Sequence, residues 1–183
     1  SVSKKLDDEL RKMEREIEKS NETIKKLIED IRRRSKESRD RLKELLEEIK
    51  KRLKEAEERG EPKEELDKKL EKMVRDAKRE LDESRKELDK LKKEIEKVLR
   101  DSRKKLKKIE DELRRELEEN KEIDEKVVED IERRVEKVLT DHERELERVE
   151  RELDDIIRRH EEELEKIERE LEKIKEDVDR SAK

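Results

Sequence analysis

The sequence predicts an all-α protein, a single-chain antiparallel up-down-up three-helix bundle of long, nearly straight helices. Two observations predict this fold class. The chain has 183 residues but one glycine and one proline, so it makes few chain reversals. Its leucine, isoleucine and valine residues recur at steps of three, four and seven, which places them on one stripe of each helix. A helix with one apolar stripe must share a core with other helices, so bundle packing follows.

The composition alone would also fit a disordered chain. Charged residues make up 65% of the sequence, hydrophobic residues 26% and aromatic residues 0%. Disordered segments are rich in glycine and proline and bury little apolar surface. Long helices built from Glu, Lys, Arg and Leu combine high charge with a helical apolar period. The period therefore favours long helices over disorder.

Two short breaks in the apolar stripe divide the chain into three helices. We expect them over about residues 3–59, 62–119 and 124–181, within one domain that spans residues 1–183. Short connections between neighbouring helices favour antiparallel packing.

The residues at the two breaks are typical of helix ends. Gly60 suits the left-handed position after a helix, and Pro62 suits the first turn of the next one. At the second break, Asn120 is predicted to adopt the left-handed conformation and Asp124 to cap the third helix.

The core pattern repeats every 18 residues, as Leu6, Ile24 and Leu42 illustrate. Eighteen residues complete five turns of a helix with 3.6 residues per turn. This is the period of a helix without supercoil, because shorter and longer periods impose left-handed and right-handed winding. We therefore expect nearly straight helices.

Six polar residues interrupt the apolar stripes with the same spacing of 18. They form two sets: Ser20, Ser102 and His142, and Ser38, Ser84 and His160. In antiparallel helices, residues at one level have residue numbers with a constant sum. That sum is 122 for the two serines of each set. It is 244 for the histidine of each set and the serine of the second predicted helix. The sequence therefore predicts two buried polar layers, each with two serines and one histidine.

We interpret these layers as hydrogen-bond networks that fix register and helix pairing. A buried serine can instead bond the carbonyl four residues back in its own helix. That alternative explains any one serine but not four serines at matched depths with both histidines. Ser35, one turn from Ser38, is expected to extend the second layer, and Asn21 or Thr140 could extend the first.

A serine beside a histidine also raises the possibility of a hydrolase. A nucleophilic serine needs an orienting acid, an oxyanion hole and a substrate cavity, and the sequence offers none of these. One histidine with two serines is a poor set of zinc ligands. We therefore expect no enzyme, with no catalytic, cofactor-binding or metal-binding residues.

The charge pattern argues against nucleic acid as a partner, and the short apolar runs argue against a membrane. The formal net charge is −5, from 57 basic and 62 acidic residues that are finely interspersed, whereas nucleic-acid binding needs a patch of one sign. Apolar runs are far shorter than a membrane span. We expect a monomer that requires no partner. The chain carries no recognisable targeting signal, so its location stays unknown, although recombinant expression in the cytoplasm is expected.

Taken together, these features resemble computationally designed, or de novo, parametric three-helix bundles with buried hydrogen-bond networks. The features are the Gly60-Glu61-Pro62 loop, helices of equal length, the 18-residue core repeat and the duplicated His/Ser layers. They cover essentially the whole chain. The resemblance implies a hyperstable structural scaffold without natural biochemical activity, or a building block for pH-responsive or heterotrimeric assembly.

A natural spacer or interaction protein is the alternative. It would be a coiled-coil or spectrin-like bundle, or a charged single helix. Spectrin-like repeats usually carry aromatic residues, and this chain has none. A single-helix spacer should lack a continuous apolar stripe and turns.

Overall fold

Three long helices make up almost the whole described structure. The computed structural model of the chain describes residues 2–181. The helices are α1 (Val2–Arg59), α2 (Lys63–Glu119) and α3 (Glu125–Ser181), and over these residues the chain forms no β-strand. Each bound lies within one residue of the predicted one. The prediction of an all-α three-helix bundle is confirmed.

The tertiary contacts divide the described chain into two compact units. Unit 1 contains residues 2–29 and 92–153, and unit 2 contains residues 30–91 and 154–181. Each helix therefore contributes one segment to each unit.

Unit 1 has an aliphatic core to which all three helices contribute. Its buried residues are Leu6, Leu10, Met13, Leu106, Ile109, Leu113, Leu117, Ile131 and Val135. Ion pairs show the relative direction of α1 and α2. Nζ of Lys12 lies 3.8 Å from Oε2 of Glu112, and Oε1 of Glu16 lies 3.4 Å from Nζ of Lys105. Rising numbers in α1 pair with falling numbers in α2, so these segments are antiparallel.

Unit 2 is built in the same way. Its buried core residues are Leu42, Leu46, Ile49, Leu70, Val74, Ala77, Leu81, Leu164, Ile167, Leu171 and Ile174. Here α1 and α3 run parallel, because Lys43 pairs with Glu163 at 3.7 Å and Lys50 with Glu170 at 3.1 Å. Fully burying one leucine or isoleucine side chain stabilises a fold by roughly 1.5–3 kcal/mol. These cores are therefore the main source of stability in each unit.

The turn after α1 is closed by a two-bond glycine cap. The amide of Glu61 donates to the carbonyl oxygen of Ala56 at 3.1 Å. The amide of Gly60 donates to the carbonyl oxygen of Glu57 at 3.4 Å. This is the hydrogen-bond pattern of a Schellman motif. Gly60 has a φ of 64°, as the sequence predicted. Pro62 precedes α2, and its carbonyl accepts from the amide of Leu66 at 3.2 Å.

The turn before α3 is capped by side chains. The Asp124 carboxylate accepts a hydrogen bond from the amide of Lys126 at 3.4 Å, which is the predicted N-cap interaction. The prediction for Asn120 was wrong, because no residue other than glycine has a positive φ in the described chain. Its side-chain Nδ2 instead donates to the carbonyl of Glu116 at 2.9 Å. The side-chain amide thus caps a terminal carbonyl of α2 without a left-handed residue.

Replacing Gly60 with Ala should lower the free energy of unfolding by about 1 kcal/mol, because the left-handed conformation strains any residue with a Cβ. The added Cβ would meet nothing within 4 Å, so the effect would come from the backbone alone. Guanidinium melts would measure it. Gly60→Asn is the matched control and should cost less, since Asn tolerates this conformation better. Equal midpoints for the two variants and the parent chain would contradict this account of the turn.

Candidate functional site: two buried serine–histidine networks

In unit 1, one residue from each helix forms a buried polar chain. Ser20 of α1 donates from its hydroxyl to Oγ of Ser102 of α2 at 2.8 Å. Ser102 Oγ lies 3.1 Å from Nε2 of His142 of α3. Ser20 is 9% exposed, and the other two residues are each 4% exposed. Three helices thus meet through two hydrogen bonds inside an aliphatic core.

In unit 2, the corresponding network has one more member. Ser38 and Ser84 are joined through their hydroxyl oxygens at 2.5 Å. Ser84 Oγ lies 2.8 Å from Nε2 of His160, and Ser35 Oγ lies 2.8 Å from Nδ1 of the same ring. Both ring nitrogens are therefore paired with hydroxyls, one on α1 and one on α2. A buried imidazole needs a partner at each nitrogen, and this network supplies both.

The structure brings together the polar residues that the sequence singled out, in the two predicted sets. Ser35 joins the second set as expected. Asn21 and Thr140 do not extend the first set, since both are exposed. The serines bond across helices rather than only to their own backbone.

Sequence analysis missed a second, outer interaction beside each network. In unit 2, Arg85 follows Ser84 in α2, and Glu161 follows His160 in α3. Nε of Arg85 donates to both carboxylate oxygens of Glu161 at 3.1 and 3.2 Å, and Nη2 donates to Glu168 at 2.9 Å. These bonds raise the pKa of Arg85 above its ordinary value. The guanidinium therefore stays charged beside the Ser84–His160 bond.

Unit 1 repeats this ion-pair arrangement 18 residues away. Nε and Nη2 of Arg103 donate to the two carboxylate oxygens of Glu143 at 3.2 and 2.9 Å. Nη1 lies 2.6 Å from Glu150. Partly exposed pairs of this kind contribute on the order of 0–1 kcal/mol each. The signal that could have found them is the 18-residue spacing of the two arginines and of their glutamates.

Both imidazoles are held in their neutral form. Burial lowers the pKa of His142, which the nearby guanidinium of Arg103 also lowers, while Glu143 and Glu145 oppose this effect. Burial lowers the pKa of His160 to about 4, and here Arg39 and Arg85 add to the effect. Charged imidazole loses its hydration in an apolar core, so desolvation dominates in both cases.

One surface groove lies beside the network of unit 1. A surface groove of about 690 Å³ runs between α2 and α3 of unit 1, with His142 in its wall. The aliphatic side chains of its floor, such as Leu106, Leu113 and Val135, are already at most 4% exposed. These three side chains therefore have little apolar surface left to offer a ligand. Within residues 2–181, no group of three or more acidic or histidine side chains is placed to hold a metal ion.

Comparisons with known proteins leave the chain unassigned to a family. No family model and no curated protein matches the sequence. A computationally designed three-helix bundle of known structure is 16% identical to this chain, covers 97% of it and is itself covered to 88%, with a TM-score of 0.39. At this TM-score, the fold assignment rests on the helices and contacts described above. In the described part of the chain, none of the helices has a stretch apolar enough to cross a membrane.

Stability should fall as pH drops below about 6.5, the pKa of an unperturbed histidine in the unfolded chain. The pKa of each buried ring is lower in the folded state, so the unfolded state binds more protons over this pH range. The free energy of unfolding that the neutral ring contributes is therefore lost progressively until the pH reaches the folded pKa. For His160, with a folded pKa of about 4, the loss at pH 5 should be about 2 kcal/mol. Guanidinium melts at pH 7 and pH 5 would measure it.

The variant His142→Leu/His160→Leu separates this effect from that of the carboxylates. Glu172 also has a lowered pKa because Lys78 bonds it, and its contribution persists in the variant. The difference between the two pH values should therefore shrink in the variant but not vanish. An unchanged difference would show that the imidazoles are not buried as neutral groups.

Proposed function

We propose that this chain is a de novo designed structural scaffold without natural biochemical activity, whose buried networks specify how its helices pair. The observation that carries the proposal is a repeat of 18 residues that recurs in three different features of the chain. The repeat governs the apolar core, the Ser/His networks and the arginine–glutamate pairs beside them. Such uniform repetition is typical of a backbone built from an ideal helix period.

The networks support a role in specificity more than in stability. Their polar groups lie in an aliphatic core, where an unpaired hydroxyl or imidazole nitrogen costs roughly 1–3 kcal/mol. Other pairings or registers of the helices would leave more of these groups unpaired than the observed arrangement does. The networks therefore penalise alternatives, while well-packed apolar residues could give equal or greater stability.

The arrangement of the serines supports the absence of hydrolase activity. Ser102 and Ser84 each lie within hydrogen-bond distance of a histidine Nε2, but they are only 4% and 3% exposed. They lie in the middle of α2, where backbone amides bond carbonyls within the helix and cannot form an oxyanion hole. We also propose that the chain is a hyperstable monomer that needs no cofactor, nucleic acid, membrane or protein partner, in keeping with its interspersed charges.

One observation favours a second use, as a pH-responsive building block. Two imidazoles lie in the core with lowered pKa values. Protonation would place a positive charge beside Arg103 in unit 1, and beside Arg39 and Arg85 in unit 2. An assembly made from these helices would accordingly weaken in acid.

Replacing the six layer residues with Leu or Val tests the specificity role. The set is Ser20, Ser38, Ser84, Ser102, His142 and His160. We expect a higher melting temperature, because apolar packing replaces polar groups, together with several oligomeric species in light scattering coupled to size exclusion. Thr23→Val, which removes an exposed hydroxyl, is the control and should leave one species. A six-residue variant that is also a single monomer would refute the specificity role.

Hydrolysis of an activated ester tests the proposed lack of catalysis. The alanine variants Ser102→Ala and Ser84→Ala should hydrolyse p-nitrophenyl acetate at the rate of the parent chain. A catalytic serine–histidine pair would instead lose on the order of a hundredfold or more in rate on this change. A loss of that size in either variant, together with an initial burst of product in the parent, would establish an active site.

A further inference from the structure

The two networks differ at one position of α1, which leaves one histidine nitrogen unpaired. Ser35 of unit 2 pairs with Nδ1 of His160 at 2.8 Å. The residue 18 positions earlier is Ile17, which has no hydroxyl. Nδ1 of His142 is accordingly buried without a hydrogen-bond partner among the described residues. His160 thus connects α3 to both other helices, whereas His142 connects α3 to α2.

From this difference we infer that the α1 segment of unit 1, residues 2–29, detaches locally from α2 and α3 more readily than residues 30–59 detach within unit 2. Local opening of this kind is a normal property of folded proteins, and it starts where the fewest interactions must be broken. The opening segment would expose the α2–α3 face of unit 1, including His142.

The number of network hydrogen bonds that break when α1 detaches from each unit supports the inference. When α1 leaves unit 1, one network bond breaks, from Ser20 to Ser102, and Nδ1 of His142 gains water that it lacks in the closed state. When α1 leaves unit 2, two network bonds break, from Ser35 to His160 and from Ser38 to Ser84. Solvation of the unpaired Nδ1 of His142 favours the open state of unit 1, whereas both ring nitrogens of His160 are already paired with hydroxyls in unit 2.

The apolar contribution of Ile17 acts in the opposite direction. Its side chain is partly buried against the core of unit 1, and an isoleucine buries more apolar surface than a serine. A test must therefore separate the hydroxyl from the lost methyl groups. Ile17→Ser and Ile17→Ala both remove most of the side chain, and of the two only serine can reach the unpaired nitrogen with a hydroxyl.

Hydrogen–deuterium exchange of the full chain, followed by mass spectrometry at pH 7, provides the test. In the parent chain, peptides covering residues 13–24 should exchange about tenfold faster than those covering residues 31–42. Exchange over residues 13–24 should be about tenfold slower in Ile17→Ser than in Ile17→Ala. Ser35→Ala should speed exchange over residues 31–42 by about the same factor, because it unpairs Nδ1 of His160.

Peptides from α2 and α3 serve as the folding control in every variant. The comparison of the two Ile17 variants decides the inference, since they differ only in the hydroxyl group. Equal exchange in Ile17→Ser and Ile17→Ala would overturn it. Faster exchange over residues 31–42 than over residues 13–24 in the parent chain would overturn it as well.

Discussion

The hydrogen bond between a serine hydroxyl and a histidine ring, inside an aliphatic core, is the constraint on which the rest of the structure depends. An unpaired polar group in such surroundings costs roughly 1–3 kcal/mol, a large share of the usual stability of a domain. Ser102 with His142, and Ser84 with His160, therefore fix the depth at which α2 and α3 meet within each unit. Ser20 and Ser38 bring α1 to the same levels.

The same constraint explains the electrostatics around the networks. A charged imidazole would lose its hydration in the core, so each ring stays neutral and its pKa is lowered. Arg85 and Arg103 are fixed by glutamates one position along the helices from each Ser–His bond. Apolar burial supplies most of the stability, and the polar groups restrict which arrangement of helices can be reached.

Much of this structure could be predicted because helical periodicity links residue number to position. The constant residue sums of antiparallel helices placed Ser20 with Ser102, and Ser38 with Ser84, at common depths. The bounds of the helices followed from the two breaks in the apolar stripe, since Gly60 and Asp124 have strong conformational preferences.

The remaining features depend on side-chain geometry that periodicity does not contain. Asn120 uses its side-chain amide to cap α2, although its residue type equally suits a left-handed turn. Which ring nitrogen meets which hydroxyl depends on how each imidazole packs. The contrast between Ile17 and Ser35 is visible in the sequence, but it acquires meaning only once Nδ1 of each ring is located.

Long-range ¹H–¹⁵N correlation spectra of the two imidazoles at pH 7, followed by titration, test the central claim most directly. We predict neutral rings, each locked in one tautomer by its hydrogen bonds, with protonation midpoints below 6.5. Rings that average rapidly between tautomers and titrate near 6.5 would contradict it, because they would be exposed to water and bound to no serine.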